Sequence, residues 1–294
     1  MTKQKSIVIV NPIAGSSRNR GTEKAIREWL NINHPDCAIE ISEYKGHAQI
    51  IASRAINEGF NHFIVAGGDG TINEVGTVLY KNKNISLGII PTGSGNGLAL
   101  HLRLPNEIIK ALEIAFGTKT EPIDVGLLNE KPFFSVAGIG FDAKVAFTFS
   151  QKKGRGLRNY VQAVIKDYPA YKPTLYSINA NNIELSKKLL MISFANSNQF
   201  GNNISLSPYA NLSDGLIDIC LMSKVPSSVA ALISPLLFFK KIHKTQYLKI
   251  IRASSATINV QLPAYYHIDG EPFAIQNPQV ELKLIPSALK INVK

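Results

Sequence analysis

The first third of the chain alternates short apolar runs with segments whose apolar residues recur at helical spacing. That alternation restricts it to a layered α/β architecture. Ile7 to Val10 opens the pattern, a helix carrying Ala25, Ile26, Trp29 and Leu30 on one stripe follows, and Ala38 to Tyr44 is the next extended run. Ile50, Ile51, Ala55 and Ile56 predict a second helix, and Phe63 to Ala66 a strand. Ile72, Val75, Val78 and Leu79 predict a third helix, and Leu87 to Ile90 another strand. Strands joined by helical crossovers form a mostly parallel sheet. The expectation is an open α/β domain that binds its ligand at the carboxyl edge of the strands.

Two glycine-rich turns fall on that edge. Gly67-Gly68-Asp69-Gly70-Thr71 follows the strand ending at Ala66 and opens the third helix, so its backbone N–H groups and the helix N-terminus can hold a phosphate without a basic side chain. Asp69, at the apex, is poised for Mg2+ or for an accepting hydroxyl. Read alone, an Asp-Gly pair is only a turn; the flanking glycines and Thr71 favour a phosphate site. Pro91-Thr92-Gly93-Ser94-Gly95-Asn96-Gly97 follows the strand ending at Ile90. There Ser94 can donate its hydroxyl to phosphate, and Asn96 can bridge ribose, metal or backbone. Asn11-Pro12, with Ala14 and Gly15, supplies a third turn after the first strand. The Walker A pattern and the protein-kinase glycine loop are both absent, so a nucleotide site here follows another design.

Beyond about Asp124 the pattern changes. Phe133 to Ala137, Leu175 to Asn179, Leu189 to Phe194, Leu216 to Leu221 and Ala256 to Val260 read as extended segments separated by Asn, Gly, Pro and Ser. They predict an antiparallel β-sandwich, interrupted by helices near Leu157 to Tyr168 and Ser227 to Lys241. Val280 to Leu284 and Leu289 to Val293 are compatible with either domain. The expected division is an α/β nucleotide domain over 1–124, with or without 280–294, and a β-sandwich substrate domain over 125–279. The cleft between them is the expected ligand site.

The chain has 294 residues, 45% hydrophobic and 18% charged, which excludes a disordered polymer. Its 32 Lys and Arg against 21 Asp and Glu give a net charge of +11, which favours an anionic partner such as nucleotide phosphate or an acidic membrane surface. The cations concentrate in Lys144 to Lys172 and Lys240 to Arg252, among apolar and aromatic residues. They do not form a recognisable nucleic-acid motif, so no nucleic-acid partner is expected. Cys37 and Cys220 lie in strand-like runs, as reduced buried thiols do. The N-terminus enters its first strand without a signal-peptide hydrophobic region, and Leu232 to Phe239 is too short to span a bilayer. The expectation is a cytoplasmic protein in peripheral contact with an anionic membrane; a homodimer is compatible with the sequence.

NPIAG, GGDGT followed by INE, PTGSGN, IDVG and HIDGE occur in the order of the diacylglycerol kinase catalytic-domain family, which includes bacterial lipid kinases and sphingosine kinases. The chain resembles that family along essentially its whole length. The resemblance implies a two-domain lipid kinase that uses ATP and Mg2+, with ATP on the α/β half and a lipid substrate approaching the cleft. Carried over by position, it implies that Asn11, Ser42, Gly67, Gly68, Asp69, Gly70, Thr71 and Ser94 contact ATP. Ser42 precedes Gly46-His47-Ala48 where the family often has threonine, and a solvent-exposed strand serine is the plain alternative. Glu271, in His267-Ile268-Asp269-Gly270-Glu271, resembles the family's proton acceptor, and Asp69 competes for that role. Without the other motifs, Asp269-Gly270 would read as a hairpin turn.

Asn211-Leu212-Ser213-Asp214-Gly215-Leu216 resembles a segment that binds a structural Mg2+ in bacterial lipid kinases. By position the ligands are Asp214 and the carbonyls of Asn211 and Leu216, with Asp124 joining through water. A simple Asx turn is the alternative. Where many bacterial diacylglycerol kinases have Asp after the loop asparagine, this chain has Gly97. That form resembles the sphingosine kinase branch and leaves the acceptor open between diacylglycerol-like and sphingoid-like lipids. The apolar helix of Val229, Leu232, Ile233, Leu236, Leu237, Phe238 and Phe239, followed by Lys240, Lys241, His243 and Lys244, is expected to be core with its basic end toward a membrane. Two rival readings stand: a NAD kinase, which shares GGDGT, and a nucleotide or anionic-lipid binding module without activity.

Overall fold

The first apolar run forms strand β1, Ser6–Val10, whose last four residues are buried. It lies between two parallel neighbours in a computed structural model that describes residues 4–15, 21–150 and 157–294. By its contacts the chain divides into two units, Met1–Ile123 with Ser287–Lys294, and Asp124–Pro286.

In the first unit α1, Thr22–Asn33, precedes β2, Ala38–Ile41, and α2, His47–Asn57, precedes β3, His62–Gly67. Then come α3, Asp69–Leu79; β4, Ser86–Pro91; α4, Gly97–His101; and α5, Ile108–Ala115. The sheet runs β2-β1-β3-β4, all parallel. Its register aligns Val10 with Ile41 and Ala66, and Gly67 with Pro91, so the three glycine-bearing turns leave the sheet on one edge. Ile26 and Leu30, four apart on α1, pack with Val8, Val10, Ile64, Ala66 and Ile90 and with Ala111, Leu112 and Ala115 of α5. The sequence patterns did not single out α4 or α5, although Ile108, Ala111, Leu112 and Ala115 of α5 recur at helical spacing.

β5, Thr120–Leu128, leads into the second unit. β6, Lys131–Phe133; β7, Val136–Gly140; α6, Phe141–Ser150; and α7, Leu157–Asp167, follow. β8, Thr174–Ala180; β9, Ile183–Leu189; β10, Met191–Ala195; and β11, Ile217–Met222, come next. Two short helices, α8, Ser227–Ile233, and α9, Pro235–Phe238, precede β12, Leu248–Ala253. The chain closes with β13, Ser255–Asn259; β14, Ala264–Ile268; β15, Glu271–Ile275; and β16, Gln279–Asn292.

One antiparallel sheet has the order β12-β11-β10-β7-β14-β15, and β16-β13-β8-β9 are antiparallel neighbours in another. Phe133, Ile139, Ile178, Phe194, Ile219, Ile258 and Leu282 form a single core with both sheets, which makes this unit a β-sandwich. The two closing segments form one strand, with β16 pairing β13 early and β4, in parallel, near its end.

Several elements differ from the sequence expectation. The extended run at Phe133 to Ala137 is interrupted, because the amides of Phe134, Ser135 and Val136 turn to a side chain far along the chain. The helix expected over Ser227 to Lys241 splits at Ser234, where Pro235 cannot donate to the preceding turn. Cys220 is buried in β11, whereas Cys37 is half-buried just ahead of β2. Burial pushes both thiols up, Cys37 to about 12. Within the basic stretch Lys144 to Lys172, residues Lys152, Lys153 and Arg155 lie outside the described residues.

Candidate functional site

On the first unit the glycine turns are in backbone contact. The Thr92 N–H donates to the Gly67 carbonyl at 3.0 Å, and a Cβ on Gly93 would lie 2.4 Å from the Gly68 Cα. Asn96 takes up the left-handed conformation at φ 51° and donates from Nδ2 to the Gly93 carbonyl at 2.9 Å, which folds the second turn onto itself. Its Oδ1 is buried and has no partner among the described residues. α3 begins at Asp69 behind Gly68, with no side-chain cap on its first turn. Helix-start N–H groups of this kind hold anions. Asp69 Oδ1 accepts from the Leu98 N–H at a long 3.4 Å, so Asp69 faces the start of α4.

The third turn joins them. Asn11 Nδ2 donates to Thr71 Oγ1 at 2.8 Å, and the Asn11 N–H donates to the Ala66 carbonyl at 2.9 Å. Asn11, Thr22 and Thr92 line a cleft of about 170 Å³ with Val10, Pro12, Gly21 and Glu23. Thr22 Oγ1 is buried there without a partner among the described residues. Ser42 lies just beyond β2 and is buried at 5% exposure; its N–H donates to the Val10 carbonyl at 2.8 Å. Ser94 is exposed on its turn. The structure thus gathers Asn11, Ser42, Gly67 to Thr71 and Ser94 on one sheet edge. Sequence reasoning missed Thr22, and it missed Glu74, whose carboxylate accepts the Gly46 N–H at 2.8 Å and pins the turn before α2 to α3. The INE that follows GGDGT carries Glu74, but nothing local points to its partner.

On the second unit Glu271 is half-buried and opens β15, at the tip of the β14-β15 hairpin. Asp269 makes that tip rigid. Its Oδ1 accepts the N–H groups of Ser135 and Val136 at 2.9 and 3.0 Å, and its Oδ2 accepts that of Phe134 at 3.0 Å. A carboxylate holding three amides is a strong, charge-assisted anchor. Below it, His267 Nε2 lies 3.2 Å from Asp142 Oδ2, which also accepts from Ser193 Oγ at 2.9 Å. All three residues are buried. A Cβ on Gly138 would meet Asp142 Oδ2 at 2.1 Å, so only glycine leaves room for this polar cluster. Asp269, His267 and Asp142 support the hairpin that presents Glu271.

The Asn211 to Leu216 turn wraps Asp124 within the same unit. The Asp124 N–H donates to the Leu212 carbonyl at 2.6 Å, and Asp124 Oδ2 accepts the Gly215 N–H at 2.7 Å. Asn211 Oδ1 accepts from Ser213, as an Asx turn does. Asp214 Oδ1 accepts the Leu216 N–H at 3.1 Å, and its Oδ2 pairs with Arg252. Arg252 Nε also reaches Asp218 Oδ1 at 3.1 Å, and Asp218 accepts from Ser207 as well. As arranged, Asp214 does not fit a divalent cation, because its Oδ1 already accepts the Leu216 amide and its Oδ2 pairs with the Arg252 guanidinium. Among the described residues no three His, Cys, Asp or Glu side chains converge as metal ligands.

Residues 5–128 match the model described as the diacylglycerol kinase catalytic domain. Residues 135–293 match the YegS C-terminal NAD kinase beta sandwich-like domain. A Klebsiella pneumoniae protein named a probable lipid kinase, YegS-like, is 26% identical over 97% of this chain and 94% of its own length. A Cronobacter sakazakii protein of the same name is 28% identical over 92% of this chain and 89% of its own. A diacylglycerol kinase crystal structure from Bacillus anthracis str. Sterne superposes with a TM-score of 0.77 at 20% identity, covering 100% of this chain and 98% of that one. With both halves matched in order, the chain belongs to the diacylglycerol kinase catalytic-domain family, in its form with a YegS-type C-terminal β-sandwich.

Proposed function

We propose that the protein transfers the γ-phosphoryl group of ATP to a hydroxyl of a diacylglycerol-like or sphingoid-like lipid. The observation that supports this reading is the backbone contact of Gly68 with Gly93, which joins the two turns at the uncapped start of α3, where a shared phosphate cradle is proposed. The relatives' name, lipid kinase, supports the acceptor class.

In this reading Asn11, Ser42, Gly67 to Thr71 and Ser94 hold the nucleotide. Asp69 is the residue that would hold a magnesium ion carried with the nucleotide, which would neutralise phosphate charge. Glu271 accepts the proton of the lipid hydroxyl as the new O–P bond forms and the bond to the departing ADP breaks. The anchored hairpin tip fixes the Glu271 backbone, so less ordering is left for the reaction itself.

The description of the second half as NAD kinase-like favours one other reading, phosphorylation of NAD. Incubating the purified protein with ATP and a lipid extract, and separately with ATP and NAD, separates the two. A phosphorylated lipid without NADP is the expected result, and NADP without phosphorylated lipid overturns it.

A further inference from the structure

α8 and α9 bury no residue completely, although they are built almost wholly from apolar side chains. One side of the pair rests on the second unit: Val229, Ala230, Ile233, Leu236 and Leu237 pack against a core that includes Phe141, Leu206 and Ile242. The other side is open. Leu232 is 79% exposed, Phe238 48% and Phe239 69%. Tyr209, 74% exposed, meets the ring of His243, in the segment that follows α9, edge-on at 5.3 Å. Clustered large apolar groups in water mark a contact surface rather than a stray exposed side chain.

The charge along the segment that carries this face has one sign. From 219 to 268 the sequence contains no Asp or Glu and six Lys or Arg. Three of these, Lys240, Lys241 and Lys244, follow α9 directly and form no ion pair among the described residues. Lys240 takes up a left-handed backbone, φ 56°, and ends the helix, so the cations gather at the end of the apolar stretch.

We propose that α8, α9 and the Lys240–Lys244 segment form a docking surface for an anionic phospholipid bilayer. Leu232, Phe238 and Phe239 enter the acyl boundary, and the three lysines rest among the headgroups. This arrangement suits an acidic lipid surface. The proposal extends the lipid-kinase reading but does not depend on it, because docking is read without catalysis.

The test is co-sedimentation of the full chain with vesicles of phosphatidylcholine alone and of phosphatidylcholine with phosphatidylglycerol, at low and high salt. Binding to the anionic vesicles that weakens with salt is expected. The F238S/F239S double variant loses affinity by about tenfold or more, and K240A/K241A by about fivefold per lysine. Both variants keep wild-type melting temperature and nucleotide affinity, since these side chains lie outside the core and the phosphate cradle. Equal binding by wild type and both variants overturns the proposal, as does absence of binding to anionic vesicles. A wild-type dimer that F238S/F239S converts to monomer, with vesicle binding unchanged, assigns the face to a second copy and equally overturns it.

Discussion

Gly93 and Gly68 approach so closely that a Cβ on Gly93 would stand 2.4 Å from the Gly68 Cα, backbone against backbone. No side chain can rotate away from such a clash. Gly93→Ala must therefore separate the two turns, at about 1–3 kcal/mol of stability. ATP affinity, measured by calorimetry, should fall about tenfold or more, because the amides proposed to hold phosphate no longer converge. Gly68→Ala, whose Cβ would lie 3.0 Å from the Gly93 Cα, should be milder. Unchanged ATP affinity in Gly93→Ala would contradict the cradle.

Asp269 and Glu271 are two residues apart and should behave oppositely. Asp269→Ala strands three backbone N–H groups and should lower unfolding free energy by about 3 kcal/mol. Glu271→Gln should stay within about 0.5 kcal/mol of wild type while losing turnover. Chemical denaturation of both variants checks this, and a large stability loss in Glu271→Gln would assign it an architectural role instead.

Arg252 pairs with Asp214 and with the buried Asp218, the charge that a structural cation would otherwise supply. Melting temperature is expected to be the same in excess Mg2+ and in EDTA. Arg252→Ala should cost about 1–2 kcal/mol, since the arginine is half exposed and its pairing is screened by solvent. A clear drop in wild-type melting on adding EDTA would show that a metal holds this turn.

His62 predicts an acid-sensitive core. It is buried, with Nε2 2.9 Å from the Ala115 carbonyl and Nδ1 2.9 Å from Ser6 Oγ, and burial holds its pKa below the ordinary 6.5. The unfolded chain therefore takes up the proton first as pH falls. Above 6.5 both states are neutral and the residue adds no pH dependence. Below 6.5 stability is lost until the folded pKa is reached. Unfolding curves across this window should flatten in His62→Gln relative to wild type; an identical slope would refute the assignment.

The parts of this fold that were legible in sequence are those whose signal is local. β1, β3 and β4 are short apolar runs, and α1 announces itself through Ile26 and Leu30 four residues apart. α5 is only eight residues long, and α6 was missed because its apolar residues are spread with little preference for one face. The break between β6 and β7 depends on Asp269, more than 130 residues away, and no window of sequence contains both ends. The site divides in the same way. Gly67 to Thr71 reads from its own residues, while Thr22, Glu74 and the Asp142–Ser193–His267 cluster exist only through long-range contacts. The Arg252–Asp214 pair was illegible for the same reason: a turn pattern says nothing of the cation that a neighbouring strand delivers.

The most direct test of the central proposal is transfer of label from radiolabelled ATP to extracted lipid by the purified chain, compared with Asp69→Asn and Glu271→Gln. Labelled lipid from wild type is expected, with turnover reduced by about a hundredfold or more in each variant. Wild-type turnover in either variant would contradict the role given to that carboxylate. An unlabelled lipid fraction from a wild-type chain that binds ATP would contradict the kinase itself.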